Sequence, residues 1–179
     1  IPKYGWDYIR KKILIPGDTD YDENIQFSLE DPPHNSVIKE TDIENIRVFG
    51  WAVDFNYSNF TGIDGIEVYL NGPRGFGKSE GPVDYGIERP DVATHFQNAN
   101  YTNSGYSFHF DGSYLEQGSE NTLYVYYYST SGSYSLAMVD FKIEGEEKES
   151  NSIISIEEYD LNDQTIEITG WATNKDWIL

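Results

Sequence analysis

The chain has 179 residues, with 31 acidic against 12 basic side chains and a formal net charge of −19. A surface of that charge repels phosphate, and no apolar run approaches the roughly 20 residues of a membrane helix, so we expect neither nucleic-acid binding nor a membrane span. Cysteine is absent, which excludes disulfides, zinc–thiolate sites and thiol catalysis. Tyrosine and glycine are abundant, as is typical of β proteins with many turns.

Residues 1–32 are a mixed segment that we expect to be an N-terminal extension or linker. The chain opens on Ile1, which indicates a processed chain or a fragment. Acidic side chains stand at every second position at Asp18, Asp20 and Asp22. Calcium needs several oxygen ligands at such spacing, so these aspartates are the candidate calcium ligands, and no other cofactor is expected. The pattern lacks the glycine and the final acid of an EF-hand, and a solvated acidic linker is the alternative.

Residues 33–143 carry the period-2 alternation of apolar and polar residues that is typical of half-buried β-strands. The alternation is clearest in the segments 66–71, 106–111, 122–127 and 137–143. Asn-Gly, Asp-Gly and Ser-Gly pairs lie between these segments and indicate turns. One helical turn is expected at 91–96, just after Pro90. Strands at this spacing predict an all-β fold, a two-sheet sandwich.

The chain contains an internal repeat. The run Ile46-Arg-Val-Phe-Gly-Trp-Ala recurs as Ile166-Glu-Ile-Thr-Gly-Trp-Ala. The second run follows a charged, mainly acidic stretch, residues 144–152, which reads as a linker, and lies in a segment, 153–179, that is too short to close a sandwich. We therefore expect one complete module and the start of a second. The remaining strands of the second would come from a longer polypeptide or from another chain.

Five short runs in the module follow one another in a distinctive order, namely residues 49–54, 62–72, 85–92, 103–106 and 123–125. This order resembles that of the bacterial immunoglobulin-like modules found, often in tandem, in secreted and cell-surface proteins. The resemblance implies an immunoglobulin-like β-sandwich, an extracellular location at the cell surface and no catalytic residues. Its signature residues in this chain are Gly50, Trp51, Asp54, Arg89, Pro90, Asp91, Asn103 and Gly105.

The signature residues have a structural interpretation that needs no ligand. Trp51 is expected to fill the core. Arg89 is expected to pair with Asp91 or Asp54 and to fix the adjoining loop. Residues 103–105 are expected to form a turn whose side chains bond to backbone groups. The alternative is a polar ligand held by Arg89 and Asp91.

The run from Gly72 to Ser79 matches the G-x-x-x-x-G-K-[ST] pattern of phosphate-binding loops. That chemistry needs a helix beginning at Lys78, whose backbone amides would surround the phosphate. Gly81 and Pro82 follow instead, and this pair prevents such a helix. We therefore interpret the glycines as a wide hairpin loop and expect no nucleotide.

The sequons at Asn56, Asn59 and Asn100 are candidate glycosylation sites.

A second group of residues is a candidate binding surface for sugars or proteins. Tyrosines at alternate positions of a strand over 122–129 share one face and, with Tyr69, Tyr106 or Tyr134, would form an aromatic platform. Such platforms stack sugar rings or contact proteins, and a solvated tyrosine-rich face is the alternative. The candidate ligand-binding residues on that strand are Tyr124, Tyr126 and Tyr128.

Catalysis is not expected, because the three histidines stand far apart and no carboxylate pair is singled out. The sequence predicts a non-catalytic structural or adhesive module of an extracellular cell-surface protein. Such a module would be a unit of a surface layer or filament, sharing strands or interfaces with neighbouring modules or copies of itself. The alternative is a carbohydrate-binding module that takes polysaccharide on its tyrosine-rich face.

Overall fold

The computed structural model describes residues 20–145, 152–162 and 165–174, with side chains described in the first of these ranges, apart from Pro82. The strands are β1 (Ile25–Asp31), β2 (Ser36–Ile38), β3 (Ile46–Asp54), β4 (Ile63–Leu70), β5 (Lys78–Pro82), β6 (Asp84–Ile87), β7 (Gly105–Phe110), β8 (Glu120–Ser129), β9 (Tyr134–Ile143), β10 (Ser152–Asn162) and β11 (Thr165–Asn174). The helical elements are α1 (Pro90–His95) and the 3₁₀ helices Glu40–Asn45 and Ala99–Tyr101. Within the described ranges, no helix has the length and hydropathy needed to cross a membrane.

Two sheets face each other across the main core. The first sheet has the strand order β1-β3-β7-β6, with antiparallel pairing throughout. The second has the order β2-β9-β8-β4-β5, and in it β2 runs parallel to β9. The chain therefore changes sheet between β1 and β2. The all-β sandwich predicted from the alternation is confirmed, and α1 begins at Pro90, close to the predicted helical turn.

A pair of tyrosine hydroxyls joins the two sheets in the centre of the core. The hydroxyl oxygens of Tyr106 on β7 and Tyr127 on β8 lie 2.8 Å apart, and the Tyr106 hydroxyl also donates to the Ser28 carbonyl on β1 at 3.1 Å. The Phe27 ring stacks on Tyr127 with centroids 4.4 Å apart. Burial raises the pKa of both tyrosines, so the hydroxyls stay neutral. Gly50 leaves the room for this contact, because a Cβ there would lie 2.7 Å from the Tyr106 hydroxyl.

Strand β9 runs from one end of the sandwich to the other. At the end that we call proximal, formed by residues 20–24, 55–62 and 129–133, the Tyr134 amide donates to the Asp20 carbonyl at 2.7 Å. A backbone hydrogen bond from Thr130 to Gly62, at 2.9 Å, joins two of these segments. The incoming chain therefore meets the start of β9 at the proximal end.

The opposite end, which we call distal, contains the loops 71–77 and 111–119 and the 3₁₀ helix Glu40–Asn45. There the Ile143 amide at the end of β9 donates to the Ser119 carbonyl at 3.0 Å. The Gly112 amide donates to the carbonyl of Ile43 in the 3₁₀ helix at 2.8 Å. The chain therefore enters the sandwich at the proximal end and leaves β9 at the distal end.

Strands β10 and β11 pair with each other in a separate antiparallel sheet whose register repeats that of β1 and β3. In the first pair Ser28 lies opposite Trp51, and in the second Ser155 lies opposite Trp171. The repeat predicted from the tryptophan run therefore has the same strand pairing in both copies, and it extends to the preceding strand.

The two strand pairs also share an irregularity. The register shifts after the residue opposite the signature glycine, which leaves Glu30 as the extra residue in β1 and Glu157 in β10. A β-bulge of this kind is a specific local feature. Beyond the bulge the copies differ, because β10 continues along β11 as far as Asn162, whereas β1 ends at Asp31 and the chain crosses to the other sheet.

The sandwich begins earlier than predicted. β1 lies in the segment 1–32 that the sequence indicates as an extension, yet it pairs with β3 along most of its length. Its burial is continuous over Phe27–Leu29 and so lacks the alternation that marks strands such as β4 and β9. The boundary predicted at residue 33 is therefore too late, and the strand that opens the segment predicted as 153–179 starts at Ser152.

Candidate functional site

Arg89, just before α1, sits at the centre of an ion-pair cluster. Its side chain is 10 % exposed and donates to two carboxylates. Nη1 and Nη2 lie 3.1 and 2.9 Å from the carboxylate of Glu30, the bulge residue of β1. Nε and Nη2 lie 2.9 and 2.7 Å from the carboxylate of Asp91. The hydrogen bonds from Arg89 lower the pKa of Asp91 below its usual range.

These contacts confirm the predicted pairing of Arg89 with Asp91 and add Glu30. The alternative partner, Asp54, is instead buried at the proximal end, where it accepts from the Ser129 hydroxyl at 2.6 Å. Gly105 lies against the arginine, because a Cβ there would come within 2.8 Å of the Arg89 Cγ. The cluster therefore fixes β1 to the start of α1, and its contacts give Arg89, Asp91 and Gly105 a structural role without a ligand.

The prediction that Trp51 fills the core between the sheets is wrong. The Trp51 side chain is buried on the outer face of the first sheet, in a second apolar cluster with Val53, Val92 and Tyr101. The Phe96 ring packs edge-on against it, with centroids 5.4 Å apart. The reason is register: Gly50 and Ala52 point into the main core, so the residue between them points outward, where α1 covers it.

The segment 103–105 also differs from the prediction. The contact that joins it to β3 is a backbone hydrogen bond, from the Ala52 amide to the Ser104 carbonyl at 3.0 Å. The Ser104 hydroxyl is buried without a hydrogen-bond partner among the described atoms, and Asn103 is exposed. The expected side-chain bonds to backbone groups are therefore not what holds this turn.

The outer face of the second sheet carries a cluster of rings that we name the tyrosine face: Tyr21, Tyr69, Tyr126, Tyr128 and Tyr134. The Tyr126 and Tyr128 rings stack at 6.2 Å with their planes 12° apart. Tyr134 lies 5.6 Å from Tyr126, and Tyr21 lies 6.1 Å from Tyr134. The neighbouring rings thus form one continuous aromatic cluster.

Polar groups border the tyrosine face. The Glu67 carboxylate accepts from the hydroxyls of Tyr128 at 2.9 Å and Tyr69 at 3.1 Å. Burial and the hydrogen bond to Glu67 raise the pKa of Tyr128, so its hydroxyl stays a donor at neutral pH. The Arg74 guanidinium lies 5.6 Å from the centre of the Tyr128 ring and 3.9 Å from the Glu67 carboxylate.

The predicted platform is present only in part. Tyr126 is just 7 % exposed, and its hydroxyl accepts from the Arg74 amide at 3.2 Å, because the loop 71–77 folds over it. Tyr106 lies in the core and not on this face. Tyr124 is half-buried, and so are the four members of the tyrosine face other than Tyr126. One of these four, Tyr21, is a residue that the sequence did not single out.

The loop 71–77 is a hairpin connection, as predicted, and Lys78 opens strand β5. The amides of Phe76 and Gly77 both donate to the Pro73 carbonyl, at 2.9 and 2.8 Å. Gly72 and Gly77 pack closely, since a Cβ at Gly72 would lie 2.7 Å from the Gly77 nitrogen. Glycine is therefore needed at 72 and 77, where the two backbone segments of the loop lie close together. Between them Phe76 points outward and is 90 % exposed.

The described aspartates give calcium no support. Asp18 lies outside the described residues. The Asp22 carboxylate already accepts from the Asn56 side chain and the Asn24 amide, each at 2.8 Å, and Asp20 is exposed. Across the part of the chain that the structure describes, no group of three or more histidines, aspartates or glutamates is placed to hold a metal ion.

The three sequons lie near the proximal end. Asn56 and Asn100 use their side-chain amides in hydrogen bonds, Asn56 to Asp22 at 2.8 Å and Asn100 to the Ser58 carbonyl at 3.0 Å. Asn59 is exposed in the loop 55–62. All three asparagines are exposed, and glycosylation at each stays a prediction.

A shallow groove of about 260 Å³ lies between α1 and the 3₁₀ helix Ala99–Tyr101. Its lining includes Pro90, Ala93, Thr94 and Thr102 and has no charged side chain. The Asn98 side chain at its rim donates to the Ser58 carbonyl at 3.0 Å, which connects the groove to the proximal loop 55–62.

Comparison with known proteins gives structural similarities but no family. No family model matches the chain, and no curated protein matches it. Among solved structures, the crystal structure of CopC from Methylosinus trichosporium OB3b is similar at 12 % identity, covering 69 % of this chain and 98 % of that chain with a TM-score of 0.37. A similarity of that size does not establish a shared fold or function.

Proposed function

We propose that the chain is a non-catalytic structural or adhesive part of an extracellular cell-surface protein built from immunoglobulin-like modules in tandem. The observation that carries the proposal is the second strand pair. β10 and β11 repeat the register of β1 and β3, including the bulge at Glu30 and Glu157. Repetition of one module along a chain is typical of extended arrays, in which the repeated unit serves as a spacer or a binding element.

The strand order supports the immunoglobulin-like assignment. Four strands in one sheet and a second sheet centred on β9, β8 and β4 correspond to the ABED and CFG sheets of that sandwich. β1 and β2 act as a first strand divided between the two sheets. Because the chain enters at the proximal end and leaves at the distal end, modules of this kind line up end to end.

Antibody labelling tests the location. Antibodies raised against residues 20–145 are expected to label intact cells of the native source from outside. An antibody against a cytoplasmic protein serves as the control and should label only permeabilised cells. Labelling of this chain that likewise requires permeabilisation would contradict the proposal.

The tyrosine face favours a second candidate function, polysaccharide binding. Tyr21, Tyr128 and Tyr134 present half-buried rings, and Glu67 and Arg74 beside them offer an acceptor and donors for sugar hydroxyls. Aromatic rings with polar groups at their border are suited to binding a neutral sugar. A chain of charge −19 repels anionic polysaccharides but not neutral ones.

Tyr134→Ala is expected to weaken such binding about tenfold, the loss of one stacked ring. The measurement is the change in intrinsic fluorescence on titration with soluble β-glucan, mannan and starch. Tyr114→Ala is the matched control, because that tyrosine is 46 % exposed but lies at the distal end, away from the tyrosine face. Equal weakening by both variants, or no response to any polysaccharide, would remove this candidate.

A further inference from the structure

Phe76 is presented by a rigid loop. Two amides close the loop on the Pro73 carbonyl, at 2.9 and 2.8 Å, and the Arg74 amide fastens it to the Tyr126 hydroxyl at 3.2 Å. An exposed aromatic side chain on a backbone already held in place loses little freedom when it binds, which is the property of an anchor residue at an interface.

The loop is locally neutral in a strongly acidic chain. Between Tyr69 and Ser79 the sequence has the cations Arg74 and Lys78 and no acidic residue. Each cation has one nearby carboxylate, Glu67 at 3.9 Å from Arg74 and Glu80 at 2.8 Å from Lys78. A second copy of the chain, also at −19, can therefore approach this loop without the like-charge repulsion that it meets elsewhere.

The groove beside α1 is the matching surface. Its lining, which includes Ala93, Thr94 and Ala99, has no charged side chain. The hydrogen bond from Asn98 to Ser58 places it by the proximal end, whereas Phe76 projects from the distal end. One copy can therefore use both surfaces at once, each with a different neighbour.

We propose that Phe76 of one copy docks in the α1 groove of a second copy, so that copies associate head to tail. This inference rests on the proposed function and names the contact by which modules assemble. The contact is heterologous, since the two copies contribute different surfaces, and it therefore continues from copy to copy without closing a dimer. A single loop in a shallow groove makes a small interface, so the association is weak and depends on concentration.

Sedimentation velocity over a range of concentrations tests the contact in the full chain. The unaltered chain is expected to form species larger than a dimer as concentration rises. Phe76→Ser and Ala99→Arg are each expected to weaken association at least tenfold, about the effect of losing an anchor residue. Both residues are exposed, so the fold should persist, which circular dichroism checks. Val37→Ser, at an exposed apolar residue outside both surfaces, is the control and should associate as the unaltered chain does.

A mixture of the two variants gives the sharper test. Phe76→Ser keeps an intact groove and Ala99→Arg keeps an intact loop, so an equimolar mixture is expected to form dimers and nothing larger. A monomeric mixture, unchanged association of Phe76→Ser, or an unaltered chain that stays monomeric would each overturn the proposal. Cell-surface labelling does not depend on association, so failure of this contact and failure of the proposed function are distinguishable.

Discussion

Gly50→Ala is expected to lower the free energy of unfolding by about 3 kcal/mol or more, at the upper end of the cost of overpacking a core. A methyl group there would overlap the Ser28 carbonyl oxygen and lie 2.7 Å from the Tyr106 hydroxyl. Neither neighbour can move freely, because Ser28 belongs to the paired strand β1 and Tyr106 holds the hydroxyl contact with Tyr127. The measurement is urea unfolding followed by far-UV circular dichroism.

Gly65→Ala is the matched control for this substitution. Gly65 also lies in a strand, but a Cβ there would meet no atom within 4 Å. Its unfolding free energy is expected to stay within about 1 kcal/mol of the unaltered chain, since alanine also restricts the unfolded state. Equal losses in the two variants would show that close packing at Gly50 is not what makes glycine necessary.

Arg89→Met is expected to lower the free energy of unfolding by roughly 3 kcal/mol, because it leaves Glu30 and Asp91 facing each other without their shared cation. Lys78→Met is the matched control. Its ion pair with Glu80 has a half-exposed lysine, so the expected loss is below about 1 kcal/mol. The same unfolding measurement compares the two, and losses of similar size would contradict the role given to Arg89.

The pH dependence of the free energy of unfolding is an independent test of the Arg89 cluster. The pKa of Asp91 is lowered in the folded chain, so its pairing stabilises the fold above the ordinary aspartate pKa of about 4 and is lost as the pH falls through the lowered value. Arg89→Met should remove this contribution. The difference in stability between the two chains is therefore expected to shrink on going from neutral pH to about pH 3, and a constant difference would contradict the assignment.

The three central strands of the second sheet, β4, β8 and β9, could be predicted from the sequence because one face of each is buried. The burial pattern of β9 alternates residue by residue, which is the signal that alternation detects. β1 could not be predicted in this way. Its buried run at Phe27–Leu29 includes a serine, and the bulge at Glu30 interrupts the pattern.

The site residues that were predicted are those with local partners. Arg89 and Asp91 stand two positions apart, whereas Glu30 reaches Arg89 only through the pairing of β1 with β3. The burial of Tyr126 depends on a loop that folds over it from between β4 and β5. In that loop the recognisable motif consists of glycines, whereas the exposure of Phe76 follows from the folded backbone and has no sequence signature.

The parallel pairing of β9 with the incoming chain has a mechanical consequence. Tyr21 lies opposite Tyr134 at the proximal end, and Ser36 lies opposite Phe141 near the distal end. Tension that draws the two ends apart pulls β2 and β9 past each other along their length. The hydrogen bonds between the two strands are then loaded at the same time. In an antiparallel hairpin pulled open from its ends, by contrast, the bonds break one after another. Resistance to such a pull follows the rate of unfolding and not the equilibrium stability. A row of these modules can thus carry load even where each one is only moderately stable.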